Sequence, residues 1–330
     1  MNTQIVPFQP SHLPAAASLV CQRYRRLRQD VPDLPQRYEE VDAFLPRLAG
    51  LVQKSTAESG FVLLRDGVLA GFLLGLEIPD FMGTRTIYSP EWANAALLDK
   101  SWPIYEALYT HWSAYWVAQG CHTHLVSQLA SDWDAVDTWQ WLGFGMAVVD
   151  GVRALSPLPD GYQGAFQVRQ VLPDAQGDFS PSDLALVKQY DQGLLAHLLA
   201  APCFWPHDVE EASSFSGDAW LSSPGNAVWL AYQDEQPLGY LRITPSSQDA
   251  CTIIRDPGTA SIVKAYTLPE ARGLGVGAAL LNHALIWAKE QGYQRCSVDY
   301  EAANPPARRF WQRWFDPVVV SLMRVVADRI

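Results

Sequence analysis

At 330 residues the chain is about twice the length at which one compact domain is the default, so two domains are expected. Its composition, 48% hydrophobic and 18% charged, describes globular protein and excludes a disordered chain, while a net charge of −11 argues against nucleic acid or an anionic membrane as partner. The five cysteines (Cys21, Cys121, Cys203, Cys251, Cys296) are odd in number, scattered and never spaced as C-x-x-C, so they read as small buried hydrophobes, with no disulfide framework and no metal site.

The opening MNTQIVPFQP lacks the charged and apolar regions of a signal peptide. The longest apolar run, around Val68 to Leu76, is far short of a membrane span, so a cytoplasmic location is expected. Phe61 to Ile78 reads as a strand hairpin, followed by a further strand and a helix ending in Gln119-Gly120. Trp102, Trp112, Trp116, Trp139 and Trp141 crowd this region; aromatic residues at helical spacing suit a core, with an aromatic ligand pocket as the other reading. Between Asp150 and Asp183 the periodicity lapses and Pro157, Pro159, Gly161, Gly164 and Pro173 collect, which marks a linker before an entering strand at Phe166 to Leu172. The boundary is placed near residue 160, giving domains 1–160 and 161–330. A second hairpin follows at Ala227 to Thr244.

The two halves repeat. A constant offset of 172 residues carries Gln119-Gly120 onto Gln291-Gly292, Tyr115 onto Trp287, Asp132 onto Asn304, Ala135 onto Ala307 and Trp139-Gln140 onto Trp311-Gln312. Several coincidences at one offset, in segments of the same expected type, indicate a duplicated fold and not a short-period solenoid.

Ser261 to Ala288 holds the chemistry. Ile262 to Thr267 reads as a strand, Pro269 to Gly277 as a turn, and Leu280, Leu281, Ala284, Leu285 and Ala288 recur at helical spacing beyond it. Glycines at such a junction let the backbone adopt positive φ and approach a ligand, and the first helical N–H groups, at the positive end of the dipole, make an anion site. Arg272 adds a full charge. By itself this element fits either a phosphate cradle or a structural turn. A P-loop is excluded because Ala278 follows Gly277 where Gly-Lys-Ser/Thr is required. A Rossmann fingerprint starting at Gly273 and Gly275 would have Ala278 as its third glycine, and lacks an acidic residue near the next strand's end until Asp299 and Glu301.

The run Ala265-Tyr-Thr-Leu-Pro-Glu-Ala-Arg-Gly-Leu-Gly-Val-Gly277 resembles the acetyl-CoA signature of the GNAT superfamily of N-acetyltransferases. Downstream, Arg295 to Tyr300 and Asn304-Pro-Pro-Ala-Arg-Arg-Phe-Trp311 are similar to that family's second element, Asn-x-x-Ala-x-x-Phe-Tyr. The resemblance implies a fold of layered α/β (α+β) class, two domains each with a mixed, mostly antiparallel sheet flanked by helices. It also implies transfer of an acetyl group from acetyl-CoA to a primary amine of a small molecule, the only partner expected. Arg272, Gly273, Leu274, Gly275, Val276, Gly277 and Ala278 would hold the diphosphate, Tyr266 and Thr267 the pantetheine arm through their backbone, and Asn304 would approach that arm. Asn304 before Pro305 also suits a helix cap.

At the same offset the first half reads Lys100-Ser-Trp-Pro-Ile-Tyr105 in place of the glycine turn; Pro103 has no N–H and Tyr105 brings bulk, so that half is expected not to bind coenzyme A in the usual way. For the amine's proton, Asp299 and Glu301 are the candidate bases, though both also suit solvated strand-end charges. His283 reads as a packing or surface residue. Where the family commonly has a proton-donating tyrosine this chain has Trp311, so Tyr300 or water is left as the acid, and a non-catalytic acetyl-CoA-binding module is the rival reading.

Overall fold

The computed structural model describes residues 2–54, 59–98, 101–159, 166–205 and 217–327. In chain order they form β1 (Thr3–Pro7), α1 (Leu13–Asp30), α2 (Leu45–Lys54), β2 (Gly60–Arg65), β3 (Val68–Leu74), β4 (Leu76–Phe81), β5 (Thr84–Ser89), β6 (Asn94–Ala96), α3 (Trp102–Ala118), β7 (Thr123–Leu129), α4 (Trp133–Trp141) and β8 (Gly145–Ala154). Then come β9 (Gln167–Gln170), α5 (Pro181–Leu199), α6 (Gly217–Leu221), β10 (Ala227–Gln233), β11 (Gln236–Pro245), β12 (Thr259–Thr267), α7 (Val276–Glu290), β13 (Arg295–Glu301), α8 (Pro305–Trp314) and β14 (Asp316–Val325). The linker glycines Gly161 and Gly164 lie outside the described residues. None of the described helices is long and apolar enough to cross a membrane.

The chain divides into two compact units, Met1–Gly151 with Cys251–Ile253 and Asp316–Ile330, and Val152–Ala250 with Ile254–Phe315. In the first, β1, β2, β3 and β6 form an antiparallel sheet, and β4, β5, β7 and β14 form another in which only the β5–β7 pair is parallel. In the second, β9 to β12 run antiparallel to their neighbours and β13 lies parallel to β12. Both are therefore mixed, mostly antiparallel sheets with helices on their faces. The duplication is visible residue by residue: shifted by 172, the bounds of β7 become those of β13, and α4 starts where α8 does. Asp132 and Asn304 cap those two helices alike, each accepting the N–H of the residue three on, Ala135 or Ala307, at 3.3 Å. Gly120 and Gly292 end the preceding helices at φ 80° and 86°, a conformation that glycine alone adopts without strain.

Trp112, Trp116 and Trp139 are buried in the first unit's core with Tyr105, Tyr109 and Phe144. Trp102 and Trp141 depart from the core reading, since they are 52% and 82% exposed and, with Glu106, Asp134 and Asp137, line an open depression of about 560 Å³. Lys100 lies outside the described residues. Nearby, Tyr105 is fully buried, its hydroxyl 3.4 Å from both Asn94 Oδ1 and Gln128 Oε1, so a packed side chain stands at the position that matches Gly277.

Candidate active site

In the second unit β12 and β13 begin side by side and then part. They pair from Thr259 with Arg295 to Ile262 with Val298, where the pairing ends, although β12 runs on to Thr267 and β13 to Glu301. Burial records the split: β12 is buried through Ile262 and half-exposed from Val263 to Thr267. On its other edge β12 stays bonded to β11, with an irregularity that leaves Val263 as one extra residue between Ile262 and Lys264. A bulge of this kind bends the strand and sharpens its twist, which is how a parallel pair opens into a wedge. Main-chain groups on one edge of β12 thereby face the gap.

The chain after β12 turns through Pro269–Ala271, and Arg272 reaches back to donate from Nε to the Thr267 carbonyl at 3.3 Å. Gly273 and Gly275 stand at φ 81° and 99°, in the left-handed region. Gly275 is the N-cap of α7, with no side chain capping the helix, so the N–H groups of Val276, Gly277 and Ala278 have neither a cap nor an intrahelical acceptor. A Cβ on Gly273 would meet only open space, whereas one on Gly277 would press the Phe310 ring at 3.3 Å. Gly277 thus serves helix packing, and the opening lies on the Gly273–Gly275 side. Leu274 is exposed, while Val276 and Ala278 are buried beneath the turn.

Cross-strand partners share a face of a sheet, which sorts the side chains. Tyr240, Arg242 and Thr244 of β11 lie opposite Tyr266, Lys264 and Ser261 of β12, and Ser261 lies opposite Ser297 of β13, their hydroxyls 2.8 Å apart. Two residues on, Asp299 falls on this face, as does Glu301; Tyr300 falls on the other and is 3% exposed. On the Tyr240–Tyr266 face α5 brings in Asp191, a buried carboxylate that accepts from the Tyr240 hydroxyl and from Arg242 Nη1 at 2.8 Å, with Lys264 Nζ at 3.6 Å. Gly193, two residues further along α5, fits only because it lacks a Cβ, which would stand 2.9 Å from the Tyr266 ring.

Solvent reaches Asp299, yet the surrounding protein deprives its carboxylate of most of the water that would stabilise the charge. That dehydration, with the negative charges of Glu301 and Asp249, pushes it up to about 7. Burial lowers Lys264, and Arg242 adds to the effect against the opposing pull of Asp191. Beside them a polar cavity of about 420 Å³ is lined by Arg242, Lys264, Thr244, Ser247, Asp249 and others.

Asn304 is buried, caps α8, and its Oδ1 also lies 3.2 Å from His197 Nε2. Trp311 is 7% exposed and packs edge-on against Phe310 and Phe315. His283 is half-buried on α7, which lowers its basicity. All five cysteines are free and buried; burial and the charge of Glu301 push the Cys203 thiol up, away from reactivity. Among the described residues no group of three or more His, Cys, Asp or Glu is placed to hold a metal ion. Asp191, His197, Arg242, Asp249 and Lys264 were not singled out from the sequence; a polar residue within a strand pattern, as at Arg242 and Lys264, was the available signal.

Residues 194–316 match the model of the acetyltransferase (GNAT) family. No curated protein matches the chain. Among solved structures it is similar to a GCN5-related N-acetyltransferase from Sphaerobacter thermophilus, with a TM-score of 0.53 and 14% identity over 99% of this chain and 98% of that one. It is also similar to the GCN5-related glucosamine N-acetyltransferase region of a fungal multi-domain GH3 β-N-acetylglucosaminidase, with a TM-score of 0.50 and 14% identity over 98% of this chain and 38% of that chain. At these identities the likeness is one of fold.

Proposed function

Because residues 194–316 match the model of the acetyltransferase (GNAT) family, we propose that the protein is an N-acyltransferase that moves an acetyl group from acetyl-CoA directly to a primary amine of a small molecule. The observation that supports this most is the parting of β12 and β13 beside the uncapped start of α7. Two left-handed glycines and an open space at Gly273 give a diphosphate room to reach the N–H groups of Val276, Gly277 and Ala278. Arg272 stands at the same turn with its guanidinium exposed. The free edge of β12 beyond Ile262, including Tyr266 and Thr267, offers main-chain partners to an extended amide-bearing arm.

When bound, the thioester supplies an activated carbonyl and a thiol leaving group. The chain's own part is to align the amine and to take its proton. Asp299 is suited to accepting that proton, because a base poised near neutrality is deprotonated at working pH and still basic enough to take one. Glu301 and Asp249 keep its affinity for the proton high, and Tyr300 lies on the opposite face of β13. Asn304 fixes the start of α8 and bonds to His197. Trp311, an indole with no proton to give at ordinary pH, packs in the core, and on this reading water returns a proton to the departing thiolate.

The binding-only module is favoured by Trp311 and separates from an enzyme in one experiment. Calorimetric titration with acetyl-CoA followed by measurement of free thiol release across an amine panel gives binding and turnover for the enzyme. Tight binding with no acceptor-dependent release on any amine would favour the module instead.

A further inference from the structure

The first unit keeps two tryptophans out of its core. Trp102, the first residue of α3, and Trp141, the last of α4, are exposed, although Trp112, Trp116 and Trp139 of the same helices are buried. Both line the open depression of about 560 Å³, so large apolar rings stand in water at a concave place. The polarity of the lining is set by Glu106, Asp134 and Asp137, with no basic residue among the described lining. Among the described residues none of these three carboxylates is held in an ion pair. The adjoining Asp99 and Lys100 lie outside the described residues and carry opposite charges. Asp134 is in the first turn of α4, where the helix dipole accounts for an acid; Glu106 and Asp137, each fifth in its helix, lie beyond that reach.

The internal repeat shows what has changed. At the offset of 172, Trp102 and Glu106 fall on Leu274 and Ala278, while Asp137 and Trp141 fall on Arg309 and Arg313 of α8. Only Glu270, matching Leu98, is acidic in the second set. The paired helices meet at the same level in both copies: Tyr105 packs on Trp139 with ring centroids 5.4 Å apart, and Gly277, at the position of Tyr105, lies against Phe310. One place in the fold therefore carries two arginines and one carboxylate in the second unit, and three carboxylates and two indoles in the first. We infer that the depression of the first unit binds a small organic cation, an amine or quaternary ammonium nitrogen bearing apolar substituents. Indole attracts a cation more strongly than the other aromatic rings do, the substituents cover its apolar surface, and the carboxylates supply counter-charge. A bare inorganic cation would leave the indoles unused, and an anion would be repelled by the carboxylates. The volume suits a ligand of metabolite size.

The test is calorimetric titration of the full-length protein with choline, benzylammonium and spermidine, each beside a neutral alcohol of matching shape. Magnesium chloride and a lysine-rich peptide are titrated in parallel. At least one ammonium should bind about tenfold or more tightly than its neutral match. The double variant Trp102→Ala/Trp141→Ala leaves the net charge at −11 and removes no buried side chain. It should weaken that binding about tenfold with the melting temperature and the affinity for acetyl-CoA unchanged, which separates the depression from general attraction to an acidic protein. Asp137→Asn should weaken it as well. Equal affinity for the neutral match, parental affinity in the double variant, heat with magnesium or the peptide alone, or no binding of any ammonium would each overturn the inference, whatever the second unit binds.

Discussion

On the proposed acyl transfer, Asp299 is the residue assigned the amine's proton, and its environment yields two expectations with definite signs. As a base it works only when deprotonated, so kcat/KM should rise with pH along a limb near pH 7, lower than the ionisation of an ordinary amine acceptor. Asp299→Asn should remove that limb and lower kcat by about 10²–10⁴-fold, measured by thiol release between pH 5.5 and 9. Because its pKa is raised from 3.8 in the fold, the folded state holds the proton more tightly than the unfolded chain, and its contribution to stability is lost as pH rises from about 4 to about 7. Asp299→Asn should therefore raise Tm at pH 8 relative to the parent and change it little at pH 4, as read by thermal unfolding. Position at the end of a strand before the Asn304 helix made Asp299 legible in the sequence. The buried cluster on the same face was not: Asp191, Arg242 and Lys264 meet only because β11, β12 and the overlying α5 are brought together in one register, and the extra residue Val263 shifts the faces in a way that alternation alone does not predict.

At the scale of elements, the two copies retain one scaffold and differ in what the scaffold holds. The helix, the glycine stop, the strand and the capped closing helix were legible as an offset of 172 because each is set by local chemistry, a C-terminal glycine or an Asx cap. The caps nonetheless differ in consequence. Asn304 bonds to His197, and Asn304→Ala should cost about 1 kcal/mol, the usual worth of a cap. Asp132 is paired with Arg23, both nearly buried, so Asp132→Ala strands a guanidinium and should cost about 3–5 kcal/mol. Urea unfolding of the two variants checks the difference. At the turn before α7, Gly275→Ala places a Cβ at φ 99°, with a penalty of about 1–2 kcal/mol, and should weaken acetyl-CoA binding at least tenfold as the turn relaxes. Equal affinity in that variant would mean that the turn is structural only. The parting of β12 and β13 was not legible: it follows from where pairing stops, which depends on the bulge and not on strand propensity.

On the scale of the whole molecule, the last strand changes what the first unit needs. β14 comes after every element of the second unit, yet it pairs along its length with β7, from Val319 with Leu129 to Val325 with Thr123, and Ser321 bonds Ser127 at 2.7 Å. Truncation after Phe315 should strip that edge of β7 and destabilise the first unit, seen as early loss of amide protection in β7 by hydrogen exchange. Retention of that protection would mean that β14 is dispensable there. Strand order along the chain says nothing of such a pairing, since an antiparallel neighbour can come from any distance in sequence. In the second unit, main-chain donors opening α7, beside a parted strand pair, are proposed to hold the diphosphate of an acyl-CoA. Crystals grown with coenzyme A test it most directly. The expected result is the diphosphate within hydrogen-bond distance of the N–H groups of Val276, Gly277 and Ala278 with the pantetheine arm along β12. An empty turn at saturating ligand, or coenzyme A in the Trp102–Trp141 depression of the first unit, would contradict it.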